Sequence, residues 1–473
     1  MKIEFTNTYA DLGDDFGQLI EPSSAIAPEL ILFNRDLASF LGIDFSSTSE
    51  SELEAIFSGK SILEKSRPFA MAYAGHQFGH FVPQLGDGRA ILLGELEASN
   101  RKSYDLQLKG AGQTAFSRRG DGRSSLGPVI REYIVSEAMH ALGVPTTRAL
   151  AAVTTGETVY REDALPGGIL TRVASSHIRV GTFEYFACRK DEKNLKILAD
   201  YAIKRHYPDL QNEEDKYFQF FKAVARRKLQ LVSKWMSFGF IHGVMNTDNT
   251  TISGETIDFG PCAFMDTFSH NKVFSSIDHH GRYSYHGQGN IALWNLSCLA
   301  SCLVPLLGLS EDEAKKKFEA EFEVLTTFFK NTWRDEMARK MGIFKASPKD
   351  NELINEFLKH LEDNRMDFTN SFRDLSKNIK SDEGLFGKIK QRIMEQTETM
   401  EEAISLMDSV NPFIIPRNHL VERAISYGIK GDYSFFKRLV EVFKDPYKED
   451  KNNIDLTQPP KPDEIVHQTF CGT

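Results

Sequence analysis

One stretch, "IHGVMNTDNTTISGETIDFGP" at 241–261, constrains this chain more than any other. It opens on His242-Gly243, passes Asp248 and Asn249, and closes on Asp258-Phe259-Gly260. A hard cation held against phosphates takes few protein oxygens, usually one or two carboxylates or amides, and leaves the rest of its shell to water and phosphate. Asn249 and Asp258 offer such a pair on either side of a short predicted hairpin, with Gly254 supplying the turn. The competing reading is a surface hairpin with solvated acids, and an isolated Asp-Phe-Gly would not displace it. The His-Gly, Asp and Asn upstream weigh against it.

The layout matches a protein-kinase catalytic loop and metal-binding Asp, except that Val244 stands where a His-Gly-Asp kinase keeps its base. Other residues extend the match. Lys109 ends the strand-like "YDLQLKG", and Glu132 lies 23 residues on, in a predicted helix. A strand lysine that meets phosphates needs a helical Glu to hold its ammonium in place. Taken alone, the two could be an unrelated surface pair. Two Gly-Asp-Gly-Arg turns, at 86–89 and 120–123, offer backbone N–H groups and bidentate arginines to phosphate. Gly86 and Gly88 fit the start of a kinase glycine loop, but Ile91 occupies its third glycine position. Arg172 and Arg179, with Arg89, Arg118, Arg119 and Arg123, make this half locally basic. That is more phosphate-binding charge than an ordinary kinase site uses. His76 and His80 share i, i+4 spacing but lack the Glu of a zinc-protease helix.

The order of elements agrees. Up to residue 188 the chain alternates strand-like runs ("RAILLGELEA", "YDLQLKG", and "ALAAVTTGETVYRE" with a Thr-Gly turn) with one helix in "GPVIREYIVSEAMHALGV". From 189 to 473 helical periodicity dominates. This predicts an α+β, protein-kinase-like two-lobed fold: a mixed N-lobe at 1–188 for phosphate binding, and a large helical C-lobe at 189–473 with the catalytic loop and tail. With 57 basic and 66 acidic residues, a net charge of −9 argues against nucleic acid or an anionic membrane as partner. The apolar run "IALWNLSCLASCLVPLLGL" carries Asn295, serines and a proline, and reads as a buried helix rather than a span. The N-terminus has neither an apolar h-region nor an Arg/Ser-rich composition, so a cytoplasmic location is expected. Five cysteines without C-x-x-C spacing make no structural zinc site, and Cys298 with Cys302 reads as a core pair.

Taken together, "YAGHQFGHFVPQLGDGRA", "LQLKGAGQTAFSRRGDGRSSLGPVIREYIVSEAMHALGVPTTRAL", "SHIRVGTFEYF", "HGVMNTDN", "IDFGPCAFMD" and "NPFIIPRNHLVE" closely resemble the selenoprotein O (YdiU) family of protein adenylyltransferases. The resemblance runs nearly the whole chain. It implies a kinase-like fold that binds ATP flipped and transfers AMP to Ser, Thr or Tyr hydroxyls of proteins, with Mg²⁺ or Mn²⁺. By motif position it implies that Gly86, Gly88, Arg89, Lys109, Asp121, Gly122, Arg172, Arg179 and Asp258 bind ATP and that Glu132 pairs with Lys109. Asn249 and Asp258 would hold the metal, and Asp248 would be the general base. It also implies a counterpart for a redox disulfide between Cys262 and Cys471, near the end of the chain. UMP transfer from UTP with manganese and conventional phosphotransfer are the alternatives.

Overall fold

The computed structural model describes residues 1–379, 381–396 and 399–470. Its first part is built on strands β1 (Gly17–Leu19), β2 (Glu29–Phe33), β3 (Phe69–Met71), β4 (Gly75–Gln77), β5 (His80–Val82), β6 (Ala90–Glu97), β7 (Ser103–Lys109), β8 (Ser124–Ser125), β9 (Arg148–Tyr160) and β10 (Ala164–Ala174). Eight of these form one antiparallel sheet in the order β1-β3-β6-β7-β10-β9-β2, with β8 beside β10, while β4 and β5 make a separate hairpin.

Side-chain alternation along a strand divides the two faces of the sheet. Leu106 and Leu108 of β7, with Ile91 and Leu93 of β6, pack beneath Leu37, Leu53 and Phe57 of the N-terminal helices. Asp105, Gln107 and Lys109 alternate with those leucines and point the other way. On that side the helix Leu126–Ala141 covers the sheet and brings Glu132 with it. Period two on β7 thus puts a buried polar row opposite a helix that can answer it.

The expected Thr-Gly turn in β9 is not a turn. The strand runs on to Tyr160, and residues 155–157 stand opposite Gly167 of β10 as a bulge. The predicted hairpin around Gly254 also differs. The turn is present, but Thr251 bridges to Arg179 and Thr256 to Thr146, because each arm finds a partner in the first half of the chain. The His76/His80 spacing falls on the β4–β5 hairpin, where Gln77 faces His80, so no helix face joins the two imidazoles.

After β10 the chain is helical apart from the short pair β11 (Phe240–Ile241) and β12 (Ala263–Phe264), which brackets the stretch 242–262. Long helices occupy Lys216–Ser237, Glu311–Lys340 and Asp350–Asp363, as their apolar periodicity predicts. One buried cluster continues from Phe16 and Leu92 through Trp235 to Leu456, so sheet and helices share a core. The apolar segment forms the helix Gln288–Leu303, long and apolar enough on composition to cross a membrane once its C-terminal turn to Leu306 is counted. Here it buries Ile291, Ala292, Leu296 and Leu299, and its buried Asn295 donates to the Met245 carbonyl (2.9 Å) and the Thr250 hydroxyl (3.0 Å). The Asn that argued against a membrane span clamps the loop around residues 245–250.

Candidate active site

Lys109 closes β7 and donates to Glu132 Oε2 at 2.7 Å and to Asp258 Oδ1 at 2.5 Å. Arg172 enters from β10, opposite Gln107 in the sheet register, and donates to Asp258 Oδ1 (2.9 Å) and Glu132 Oε1 (3.2 Å). Two cations and two carboxylates therefore form a closed set. Burial alone would raise the Asp258 pKa, but Lys109, Arg172 and Arg179 outweigh it and hold the carboxyl well below the usual range. Asp258 takes a left-handed backbone, φ +63°, which Asp tolerates better than most residues. Both cations sit on Oδ1, so Oδ2 carries neither bond.

Asp248 lies on the short 3₁₀ turn Thr247–Asn249. Gln77 of the hairpin donates to its Oδ2 at 3.3 Å, while Oδ1 is buried without a hydrogen-bond partner. Burial pushes its pKa up to about 6, against the opposing pull of Arg179. A carboxylate with one oxygen tethered and the other bare is suited to take a proton. Gly75 is why it fits: a Cβ there would stand 2.6 Å from Asp248 Oδ1. Asn249 donates its amide to the Val244 carbonyl at 3.0 Å, which leaves its Oδ1 for a ligand. Val244, the apparent defect of the loop, is buried and acts through its backbone, its N–H reaching His242 Nδ1 at 3.4 Å. His242 in turn bonds the Ile257 carbonyl (2.8 Å) and stacks on Trp235; burial lowers its pKa to about 4, so it stays neutral.

The two Gly-Asp-Gly-Arg turns separate in space. Asp87 of the first is buried and accepts from the Met71 N–H (3.3 Å) and from Gln107 Nε2 (3.0 Å). It faces Arg179 Nη1 at 3.6 Å, and the Arg179 guanidinium lies 4.2 Å over the Tyr73 ring. Gly86 and Gly88 pack on Phe116, where a Cβ would come within 2.2 and 2.8 Å of it. Asp121 of the second turn is exposed and paired with Arg161 (2.8 Å), which lowers its pKa, while Arg123 reaches Glu157. Gly122 sits against Gly112, whose N–H bonds its carbonyl at 3.0 Å.

These features can be set beside known proteins. The model of the family described as "Protein adenylyltransferase SelO" matches residues 1–444. A protein nucleotidyltransferase YdiU of Maridesulfovibrio salexigens is 50% identical, with 99% of this chain and 98% of that protein aligned. Its namesakes from Bradyrhizobium sp. (strain BTAi1) and Nitrosococcus oceani are 49% and 47% identical, each over 99% of this chain and 99% and 97% of their own lengths. The chain belongs to the SelO/YdiU family. It is a nucleotidyltransferase.

In this SelO/YdiU chain, Lys109, Glu132, Arg172 and Asp258 meet at one point, with Asp248 and Asn249 on the adjoining turn. Sequence reasoning missed Asp87, Gln107, Tyr73 and Glu184. Gln107 links Asp87 to Arg172, accepting the Arg172 Nη2–H at 2.7 Å. Glu184 accepts the Thr247 hydroxyl (2.5 Å) and meets His76 Nδ1 (2.6 Å), bracing the turn from behind. The alternation of β7 could have signalled Gln107, since a polar residue between two leucines on a central strand must be answered. Cys262 is buried beside the site, and Cys471 lies outside the described residues. Thr469 is the last well-tied residue before it: its hydroxyl donates to the Pro261 carbonyl at 2.6 Å and its N–H to the Phe274 carbonyl at 2.8 Å.

Proposed function

We propose that the chain transfers AMP from ATP to Ser, Thr or Tyr hydroxyls of proteins, in a kinase-like two-lobed arrangement divided near residue 188. The observation that carries this reading is the row of Lys109, Arg172 and Arg179 leading to Asp258 beside the bare Asp248 Oδ1. A triphosphate attacked at its α-phosphorus expels pyrophosphate, so negative charge spreads over three phosphates and needs several fixed cations. Lys109, Arg172 and Arg179 would hold the triphosphate, with Glu132 orienting Lys109. Gly86, Gly88, Arg89, Asp121 and Gly122 would line the nucleotide. Asp248 Oδ1 would take the acceptor's hydroxyl proton as the oxygen attacks. Asn249 Oδ1 and Asp258 Oδ2 are hard oxygen donors suited to Mg²⁺ or Mn²⁺, which when bound would neutralise developing phosphate charge.

The relatives' broader name, nucleotidyltransferase, covers AMP and UMP transfer alike, and UMP transfer from UTP with manganese is the second reading. The test uses ATP labelled at the α- or the γ-phosphate, with UTP and Mn²⁺ in parallel. Protein-bound α-label is the expected result. γ-Label alone would mean conventional phosphotransfer and overturn the proposal.

We also propose that Cys262 and Cys471 form a redox latch, since the segment ending at Thr469 is tied to Pro261, next to Cys262. Two thiols would lose two protons and two electrons to a disulfide oxidant such as oxidised glutathione. Treatment with that oxidant should lower the intact mass by two hydrogen atoms, which reduce the oxidant to two thiols. Cys471→Ser should abolish the change, and no change in the wild-type protein would refute the latch.

A further inference from the structure

Beside the catalytic turn lies a cleft of about 510 Å³ lined by Phe78, His80, Asp278, His279, His280 and Arg282. It shares a wall with the site. Phe78 N–H and the Tyr283 hydroxyl both donate to Asn246 Oδ1, at 3.1 and 2.7 Å, two residues before Asp248. Gln77, next to Phe78, is the residue that tethers Asp248. Whatever fills the cleft therefore touches the hairpin and loop that hold the candidate base.

The cleft is built for negative charge. Arg282 is held flat, its guanidinium 4.6 Å over the Trp294 ring and close to Gly79 at the hairpin tip. Its Nε and Nη2 are buried without a hydrogen-bond partner. Asp278 does not neutralise it through a bond, because its oxygens accept the Arg282 and Tyr283 backbone N–H groups at 2.9 and 2.8 Å. His80, His279 and His280 are exposed and add further donors, and Ile277 gives an apolar lip. Arg282 lines the cleft with two guanidinium nitrogens closed off and unpaired, so a small turn of the side chain toward an incoming carboxylate would exchange that cost for charge-assisted bonds.

We propose that this cleft is the acceptor subsite, and that it selects protein segments carrying an Asp or Glu beside the hydroxyl to be modified. The proposal rests on the nucleotidyltransferase reading for its purpose, but its test does not depend on transfer. Fluorescent peptides, identical except that Asp and Glu near a central Ser are replaced by Asn and Gln, are titrated against the full chain and followed by anisotropy. The acidic peptide should bind about tenfold more tightly. Arg282→Gln should remove the difference, Arg282→Lys should keep part of it, and Arg282→Glu should reverse it toward a Lys-bearing peptide. Equal binding of both peptides by the wild-type protein, or a preference that survives in Arg282→Gln, would overturn the subsite. Label transfer to the same peptides is scored separately. Absent transfer with discrimination intact would count against the reaction and still support the cleft.

Discussion

Asp258→Ala is expected to lower nucleotide transfer by about a thousandfold or more, a barrier increase of about 4 kcal/mol. Two losses combine. The proposed metal site loses its only carboxylate, and Lys109 and Arg172 lose the anion that balances them against Glu132. Breaking a buried pair by deleting one partner costs about 3 kcal/mol of folding stability, the lower figure suiting a side chain that is 24% exposed. Asp258→Asn separates the two effects. It keeps the shape, and if metal ligation is the role its deficit should shrink as Mn²⁺ is raised, while its thermal midpoint stays low at every metal concentration. A folded Asp258→Ala protein with wild-type transfer would remove Asp258 from the mechanism.

Asp248→Asn should act in opposite directions on activity and stability. Transfer should fall by about a hundredfold to ten-thousandfold through loss of the proposed general base. Stability should rise. Burial lifts the Asp248 pKa from 3.8 to about 6, so between those values the folded protein binds the proton that the unfolded chain has released. This contribution therefore favours the folded state less and less as pH rises from about 4 to 6, and above 6 the full cost of a buried carboxylate remains, about 3 kcal/mol. In protein free of metal and nucleotide, the Asn variant should melt above the wild type at pH 7.5 and near it at pH 4. Calorimetry at both values tests this. An unchanged difference between the two pH values would mean that Asp248 titrates normally.

Much of the candidate site was legible in the sequence because the proposed chemistry is carried by residue types with few other uses at those spacings. Lys109, Glu132 and Asp258 follow from a strand lysine, a helical acid and an Asp-Phe-Gly, and they meet within hydrogen-bonding distance. The two Gly-Asp-Gly-Arg turns were not distinguishable, since identical tetrapeptides differ only in what packs on them. Asp87 is buried under β3 and Gln107, whereas Asp121 faces solvent and Arg161. Glu184 was invisible for a related reason. Its role depends on helix Val180–Ala187 packing against the turn at Thr247, a juxtaposition no local pattern encodes. The strand-period reading erred at β9, where "TTGET" has turn composition but neighbours on both sides keep it paired as a bulge. Coarse element types came from periodicity; where each polar residue points was decided by tertiary packing.

The loop from His242 to Thr250 has almost no regular structure, and loops of that kind are ordinarily the first part of a protein to loosen. This one is moored at every side. His242 is tied to Ile257, Met245 and Thr250 to Asn295, Asn246 to Tyr283, and Thr247 to Glu184. Every anchor is a buried polar group in the shared core, so loosening the loop would strand several of them at once. Its opening is thereby linked to melting of the whole molecule: a segment with the outline of a coil, and the mechanical standing of a core strand.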